Sequence, residues 1–251
     1  MGHPVAETRG GVVVLILGVE TATERVSVAI GGHDGVLASV EVTRGRRHAE
    51  NLMPAIETAC RLAEVSVPEF GCVAVDVGPG LFTGMRVGIA TATSMAWALD
   101  VPVVPSTSLE LLALALRDDV ERQSERLVCS VVDARKGEVF HQLFRVSDSG
   151  VEDLGEPRCE TPEALTARLH ERSQSVVCVG DGASRHADVL TGDPRITVAA
   201  DRWSLPSATT LVELAHRRSL REEWTTPERV EALYLRQPDA QINWSTRNDA
   251  T

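Results

Sequence analysis

The chain has 251 residues, 43% of them hydrophobic, enough for one large domain or two lobes of about 100–150 residues each. A formal net charge of −11 and a pI near 5.1 argue against a chain that grips a phosphate backbone by itself, and an aromatic content of 4% argues against a base-stacking platform. Cys60, Cys72, Cys129, Cys159 and Cys178 are odd in number and widely spaced, with no Cys-x-x-Cys. They argue against a disulfide framework and a zinc knuckle and fit a reducing cytoplasm.

Residues 1–11 read as a polar leader expected to be disordered, and Ala6 stands where a myristoylation signal needs Ser or Thr. The apolar run Gly11–Val19 is far below spanning length, so no membrane segment is expected, and Val12–Val19 reads as the first strand. Val26–Ile30 comes after the turn Thr21–Arg25, and Val36–Val42 after a glycine-rich hairpin turn, Gly31–Gly35. The basic loop Arg44-Gly45-Arg46-Arg47-His48 leads into a helix over Ala49–Glu64, where Pro54 is tolerable only near the start. Val73–Val77 is short, apolar and β-branched, which suits a strand buried on both faces. Gly78-Pro79-Gly80 ends it, and a helix runs on to Leu99 with Thr83 placed as its N-cap. The strand Val101–Val104 and a helix from Ser106 to about Leu116, capped by Ser106 or Thr107, complete the first half.

Two features of this half point to function. The turn with Gly78, Gly80, Thr83, Gly84 and Arg86 offers a helix start with free N–H groups and partial positive charge, which suits an anion such as a phosphate. The plain alternative is a tight strand-to-helix turn that binds nothing. The helix itself has no charged residue from Val87 to Leu99. A surface helix shows a polar face, so this one is expected to be covered on nearly every side, in part by a partner chain.

The second half repeats the order. Leu127–Val132 and Glu138–Val146 read as strands, with a weaker third around Val151–Arg158. Thr161-Pro162-Glu163 opens a helix to about Glu171, and Ser175–Val179 is a strand. The turn Gly180-Asp181-Gly182 precedes a short helix Ala183–Leu190. A strand Ile196–Ala199 and a helix Ser207–Arg218 close the series. Both halves read β-β-β-α-β-α-β-α, and each first strand ends in an acid with a small residue close behind it, Glu20-Thr21-Ala22 and Asp133-Ala134. The repeat indicates an internal duplication, with two α/β lobes facing one another across a cleft.

The order of elements resembles the ribonuclease-H-like lobe pair of the actin, sugar kinase and Hsp70 superfamily, a mixed sheet flanked by helices in each lobe. The run Gly78-Pro79-Gly80-Leu81-Phe82-Thr83-Gly84-Met85-Arg86-Val87-Gly88 closely resembles the signature of the TsaB (YeaZ) family. Glu20-Thr21-Ala22-Thr23, His48 to Pro54, Ser106 to Glu110, Asp133-Ala134-Arg135 and Tyr234-Leu235-Arg236 match in family order. The resemblance divides the chain into an N-terminal lobe over 12–105, completed by the C-terminal helix (about 207–236), a C-terminal lobe over 106–206, and a disordered tail over 237–251. It implies a non-catalytic, cytoplasmic subunit in formation of threonylcarbamoyladenosine beside the tRNA anticodon. The implied partners are a larger catalytic paralogue of the TsaD type and a TsaE-like ATPase. A homodimer is implied when the chain is alone, and tRNA is touched only indirectly.

The residues agree with that expectation. The catalytic paralogue resembles a metalloenzyme with two histidines four apart on a helix. Here Asn51 and Leu52 come after His48, and no two histidines have that spacing, so no metal is expected. Where active superfamily members hold metal and phosphate, this chain has Glu20, Ala22, Asp133 and Arg135. Side chains at Ala22 and Arg135 crowd a phosphate that needs bare backbone. Gly180 and Gly182 remain as an adenosine-side turn, so the only nucleotide binding left open is weak or shared, with no cofactor of its own. On the helix over Ala49–Glu64, Leu52, Met53, Ala55, Ile56, Ala59, Cys60, Leu62 and Ala63 fill an arc of about 180°, wider than a core-facing stripe needs. With Ala92 and Met95 of the uncharged helix they form the expected partner face. The alternative is that both helices simply pack on their own sheet. Arg44, Arg46 and Arg47 read as a solvated loop or a contact to tRNA, and Tyr234-Leu235-Arg236 as a tail packed back on the N-terminal lobe. An independent ATPase or small-molecule kinase needs a phosphate turn this chain lacks, and a metalloprotease needs a ligand set it also lacks.

Overall fold

The computed structural model describes residues 7–8, 11–12, 14–43, 47–119, 125–148 and 150–236. Glu7–Thr8 (β1) and Gly11–Val12 (β2) pair as a small antiparallel ribbon, so part of the leader expected to be disordered is paired backbone. The rest of that leader, loop positions Arg44, Gly45 and Arg46, and the tail over 237–251 lie outside the described residues.

The first sheet takes Ile16–Glu20 (β3), Val26–Gly32 (β4), Gly35–Val42 (β5), Cys72–Asp76 (β6) and Val103–Ser106 (β7), in the order β5-β4-β3-β6-β7. Its hairpin side is antiparallel, and β3, β6 and β7 run parallel. The second sheet takes Arg126–Arg135 (β8), Glu138–Ser147 (β9), Gly150–Asp153 (β10), Arg158–Glu160 (β11), Val176–Val179 (β12) and Ile196–Val198 (β13). Its order is β10-β9-β8-β12-β13, with β11 also on β9. The two sheets share one topology, in agreement with the duplication. The single third strand expected over Val151–Arg158 is instead two short strands, because Gly155, at φ 152°, and Pro157 interrupt the ladder.

Helices His48–Ala63 (α1) and Phe82–Leu99 (α2) lie side by side on one face of the first sheet. Alternate residues of β3 point to opposite faces. Leu17 and Val19 pack with Leu52, Ala55, Ile56 and Ala59 of α1. Ile16 packs on the other face with Leu211, Val212 and Ala215 of a last helix, Ala208–Ser219. Helix α1 runs through Pro54, farther into the helix than expected. The ring lies on the exposed face, so only one backbone hydrogen bond is forgone.

Thr83 is not the cap of α2. The helix starts a residue earlier at Phe82, with Leu81 at the cap position and no side-chain cap. Its buried stripe is Gly84, Gly88, Ala92 and Ala96, four residues apart, which lets the helix backbone come close to β3 and β6. The opposite side of α2 is bare in the single chain, so the helix is not covered on nearly every side by its own lobe; Ala90, Ser94, Trp97 and Ala98 are exposed.

Ser108–Ala115 (α3) is apolar on every side but that of Glu110, which pairs with Arg218 at 2.7 Å, because it is wedged between the lobes. Its Leu109, Leu112 and Ala113 pack on the second sheet, and Leu111 and Leu114 join the first lobe's core. Thr107, of the two expected candidates, caps it, accepting from Glu110 N–H at 3.0 Å. Pro162–His170 (α4), Asp181–Arg185 (α5) and Ala187–Leu190 (α6) cover the second sheet's other face. The expected turn Gly180-Asp181-Gly182 thus already contains the first helical residues of α5, and the expected single helix after it is two. The last helix, α7, begins after the cap Ser207.

Leu52 is 1% exposed and Ala92 0% exposed. Leu52→Asp and Ala92→Trp are therefore expected to destabilise the lobe by more than about 3 kcal/mol, by burying an unpaired charge and by overpacking respectively, in urea denaturation.

Candidate functional site

Strands β3 and β6 end side by side, in register at Val19 and Val75, and deliver Glu20 and Asp76 to neighbouring buried positions. Glu20 Oε1 accepts from the N–H groups of Ala22 at 2.8 Å and Thr23 at 3.2 Å, while its Oε2 is buried without a partner. Asp76 accepts from Gly78 N–H at 2.8 Å and from Ser108 Oγ at 2.8 and 2.9 Å. Burial pushes the Asp76 carboxyl up to about 7, against the opposing pull of these hydrogen bonds. Burial, and then the neighbouring Asp76, also raises Glu20 well above the usual carboxylate range. Sequence reasoning misses this pair; its one signal is an acid at the end of each of two apolar strands.

The glycine-rich turn packs tightly on the β3–β4 turn. Leu81 N–H donates to Ala22 O at 2.6 Å, and Thr21 Oγ1 donates to Gly84 O at 2.8 Å. A Cβ on Gly80 would overlap the Ala22 carbonyl, and one on Gly84 the Thr21 carbonyl. The chain itself thus gives a packing reason for these bare positions. Gly78 has φ 96°, the left-handed region that favours glycine. His48 is 3% exposed, and its Nε2 donates to Thr23 O at 2.7 Å, tying the start of α1 to the same turn. Gly180 and Gly182 likewise sit against the backbone of Val131, Val132 and Asp133.

Between the lobes lies a groove of about 660 Å³, lined by His48, Phe82, Thr83, Asp133, Arg135 and Tyr234 among others. The acid expected on the second lobe, Asp133, takes both Arg135, at 3.0 Å, and Arg185, at 2.9 Å, on one carboxylate oxygen. Arg135 then reaches across the groove to Glu24 at 2.6 Å. Asp181 Oδ1 accepts from Asp133 N–H at 3.0 Å.

The C-terminal segment straps both lobes, where the sequence places it on the N-terminal lobe alone. Leu233 N–H donates to Val77 O at 2.8 Å, and the Tyr234 ring lies 5.5 Å from Phe82. Leu235, however, packs half-buried against the second lobe's core, and Arg236 donates to Ala134 O at 3.1 Å and pairs with Glu138. Arg86 is held in this strap, with its Nε on Tyr234 Oη at 2.9 Å and its guanidinium 3.9 Å over the Phe82 ring. Tyr-Leu-Arg in the sequence cannot disclose two destinations, because contacts so distant in sequence leave no local pattern.

The expected partner face needs correcting. Leu52, Ile56, Ala59, Cys60 and Ala92 are buried in the chain's own core, and Ala63 and Met95 are half-buried. The wide arc on α1 arises because its stripe packs on both the sheet and α2. The large apolar side chains left bare on the same two helices are Met53 at 45% exposure, Leu62 at 58%, Trp97 at 72% and, at the start of α2 beside the groove, Phe82 at 41%. Of the basic loop, Arg47 is exposed and lies 3.4 Å from Glu50.

Two duplicated lobes with one topology, a wedge helix between them and acids at the first strand tips of each define the class of the actin, sugar kinase and Hsp70 superfamily. The family model for TsaD, tRNA N6-adenosine threonylcarbamoyltransferase, matches residues 36–244. The TsaB tRNA threonylcarbamoyladenosine biosynthesis protein of Escherichia coli is 27% identical, over 88% of this chain and 94% of its own. An uncharacterised protein of Mycobacterium tuberculosis is 31% identical, over 90% of this chain and 93% of its own. The solved structure of YeaZ from Pseudomonas aeruginosa superposes with a TM-score of 0.77 at 26% identity, covering 88% of this chain and all of that one. The chain belongs to the TsaB (YeaZ) family, within the wider group that the TsaD model describes.

Between the usual Asp value and about 7, folded Asp76 holds a proton that the unfolded chain has lost. Its contribution is fully present at the acid end and is lost as pH rises, with a slope of up to about 1.4 kcal/mol per pH unit. Asp76→Asn is expected to flatten that slope relative to wild type in denaturant titrations from pH 4 to 7 (about the span of the shift). Leu235→Ala is expected to remove about 1–2 kcal/mol and to speed hydrogen exchange at the Leu233 amide, since one half-buried anchor of the strap is lost.

Proposed function

We propose that this protein is a non-catalytic subunit in bacterial-type tRNA threonylcarbamoyladenosine formation, and that it holds a TsaD-like catalytic paralogue through α1 and α2. The observation that carries the reading is the set of large apolar side chains left bare on two adjacent helices, Met53 and Leu62 on opposite flanks of α1 and Trp97 on α2, which has no charge for its last thirteen residues. Exposed Trp and Met are residue types enriched at binding interfaces. A matching helix pair would close this face as a four-helix interface, with a second copy when the protein is alone and with the paralogue when both are present. The relatives named for threonylcarbamoyladenosine biosynthesis support the pathway.

The groove supports the non-catalytic half of the proposal. Its second-lobe acid is neutralised by two arginines and its glycine turns are filled by the chain's own backbone, so we assign it no nucleotide, metal or turnover of its own. With a net charge of −11, contact with tRNA runs through the partners, and a TsaE-like ATPase supplies any nucleotide hydrolysis. Among the described residues no helix is long and apolar enough to cross a membrane, and the cytoplasm is the proposed compartment.

Trp97→Asp and Met53→Asp are expected to abolish co-purification with the TsaD-like paralogue, a loss of more than about 2 kcal/mol each, while circular dichroism and the melting temperature stay those of wild type. Undiminished co-purification of both variants overturns the interface. The purified protein is expected to hydrolyse ATP no faster than a blank, and a turnover abolished by Asp133→Ala overturns the non-catalytic assignment.

A further inference from the structure

Helix α2 has a single charged residue, Arg86 in its second turn. Arg86 is exposed, and so are Ala90, Ser94 and Trp97 farther along the same side. At 100° per residue, Arg86 and Trp97 lie within about 20° of one another around the helix and about 16 Å apart along its axis. Arg86 is not among the residues that line the groove. It therefore stands at one end of a bare helical side that carries Trp97 at the other.

The side chain is already held in place. Its guanidinium stacks 3.9 Å over the Phe82 ring, and its Nε donates to Tyr234 Oη at 2.9 Å. Its Nη1 and Nη2 have no hydrogen bond or ion pair among the described residues. Stacking and the Nε bond restrict the rotamers of a long side chain, so little entropy is left to lose when the remaining donors find an acceptor. Two terminal nitrogens free on a fixed planar fork match the two oxygens of a carboxylate.

An entirely apolar partner laid over this side would take an unpaired guanidinium out of water with nothing in exchange, which opposes binding. A partner that brings an anion to Arg86 removes that penalty and fixes the register of the two surfaces. A phosphate backbone is the poorer match. Nucleic-acid sites gather several cations on one patch, whereas this one cation is followed along the helix by Ala90, Ser94 and Trp97.

On the helical face proposed above, on which this assignment rests, we infer that Arg86 is the charged anchor, and that the partner seated there presents an Asp or Glu carboxylate about 16 Å along α2 from the place that receives Trp97. The apolar side chains supply contact area. Arg86 decides which partner fits and in which register.

The test is biolayer interferometry of the full chain on the purified TsaD-like paralogue, in low and high salt (about 50 and 500 mM NaCl). Arg86→Met keeps an apolar stem over Phe82 and removes the charge; it is expected to bind at least about tenfold more weakly. Arg86→Glu sets like charges against each other and is expected to lose at least about a hundredfold, while Arg86→Lys, with the charge but not the fork, falls between wild type and Arg86→Met. Wild type is expected to weaken more steeply with salt than Arg86→Met, and all three variants keep the wild-type circular dichroism spectrum. Wild-type affinity in Arg86→Met and Arg86→Glu, with Trp97→Asp unable to bind, overturns the anchor and leaves the helical face standing. Wild-type affinity in Trp97→Asp as well overturns both. Equal losses in Arg86→Met and Arg86→Glu at the wild-type salt slope make Arg86 a structural residue only and overturn the anchor. Loss of tRNA from a complex that keeps the paralogue overturns it too, since the anion is then a phosphate.

Discussion

The close approach of α2 to the β3–β4 turn is the contact on which the rest of the molecule depends. Thr21 donates to the carbonyl of Gly84, Leu81 donates to the carbonyl of Ala22, and a Cβ at Gly80 or Gly84 would overlap the Ala22 or the Thr21 carbonyl respectively. Because the helix backbone comes in this near, four of its five buried residues are Gly or Ala, Met85 being the exception. The other large side chains lie on its flanks and its far side. That single constraint positions a wall of the groove and leaves Trp97 in solvent.

The same approach explains the character of the groove. In a fold of this class the strand tips and glycine turns surround the space between lobes. Here the space next to them is taken by the chain's own groups: guanidinium on Asp133, Tyr234 on Phe82, and Leu235 against the opposite lobe's core. The exposed ion pair between Glu24 and Arg135 adds little, at most about 1 kcal/mol. The apolar anchors of the strap and the wedge helix α3 hold the lobes together more firmly, since they bury area that water would otherwise cover. A protein built this way is suited to presenting a fixed surface. The proposed role, positioning a paralogue by a helical face, needs that rigidity and no opening of the groove.

Much of the architecture is legible in the residues. The buried strands are visible as short β-branched runs, the two halves as one repeated order, and the caps Thr107 and Thr161 as hydroxyls before apolar periodicity. Misreadings come where tertiary contact overrides local chemistry. Thr83 looks like a cap, yet the helix begins at Phe82 because Leu81 is tied to Ala22. The arc on α1 looks like a face for another chain, yet most of it serves the sheet and α2 at once, and a helical wheel cannot tell one buried neighbour from another.

By itself, then, the sequence determined the two-lobed fold and the family, because each rests on residue types at short, fixed spacings. The tertiary structure alone decided which apolar side chains stay bare, where the C-terminal strap lands, and that Glu20 and Asp76 meet. Those outcomes depend on which distant segments come into contact, and burial is a property of the packed molecule that no local pattern carries.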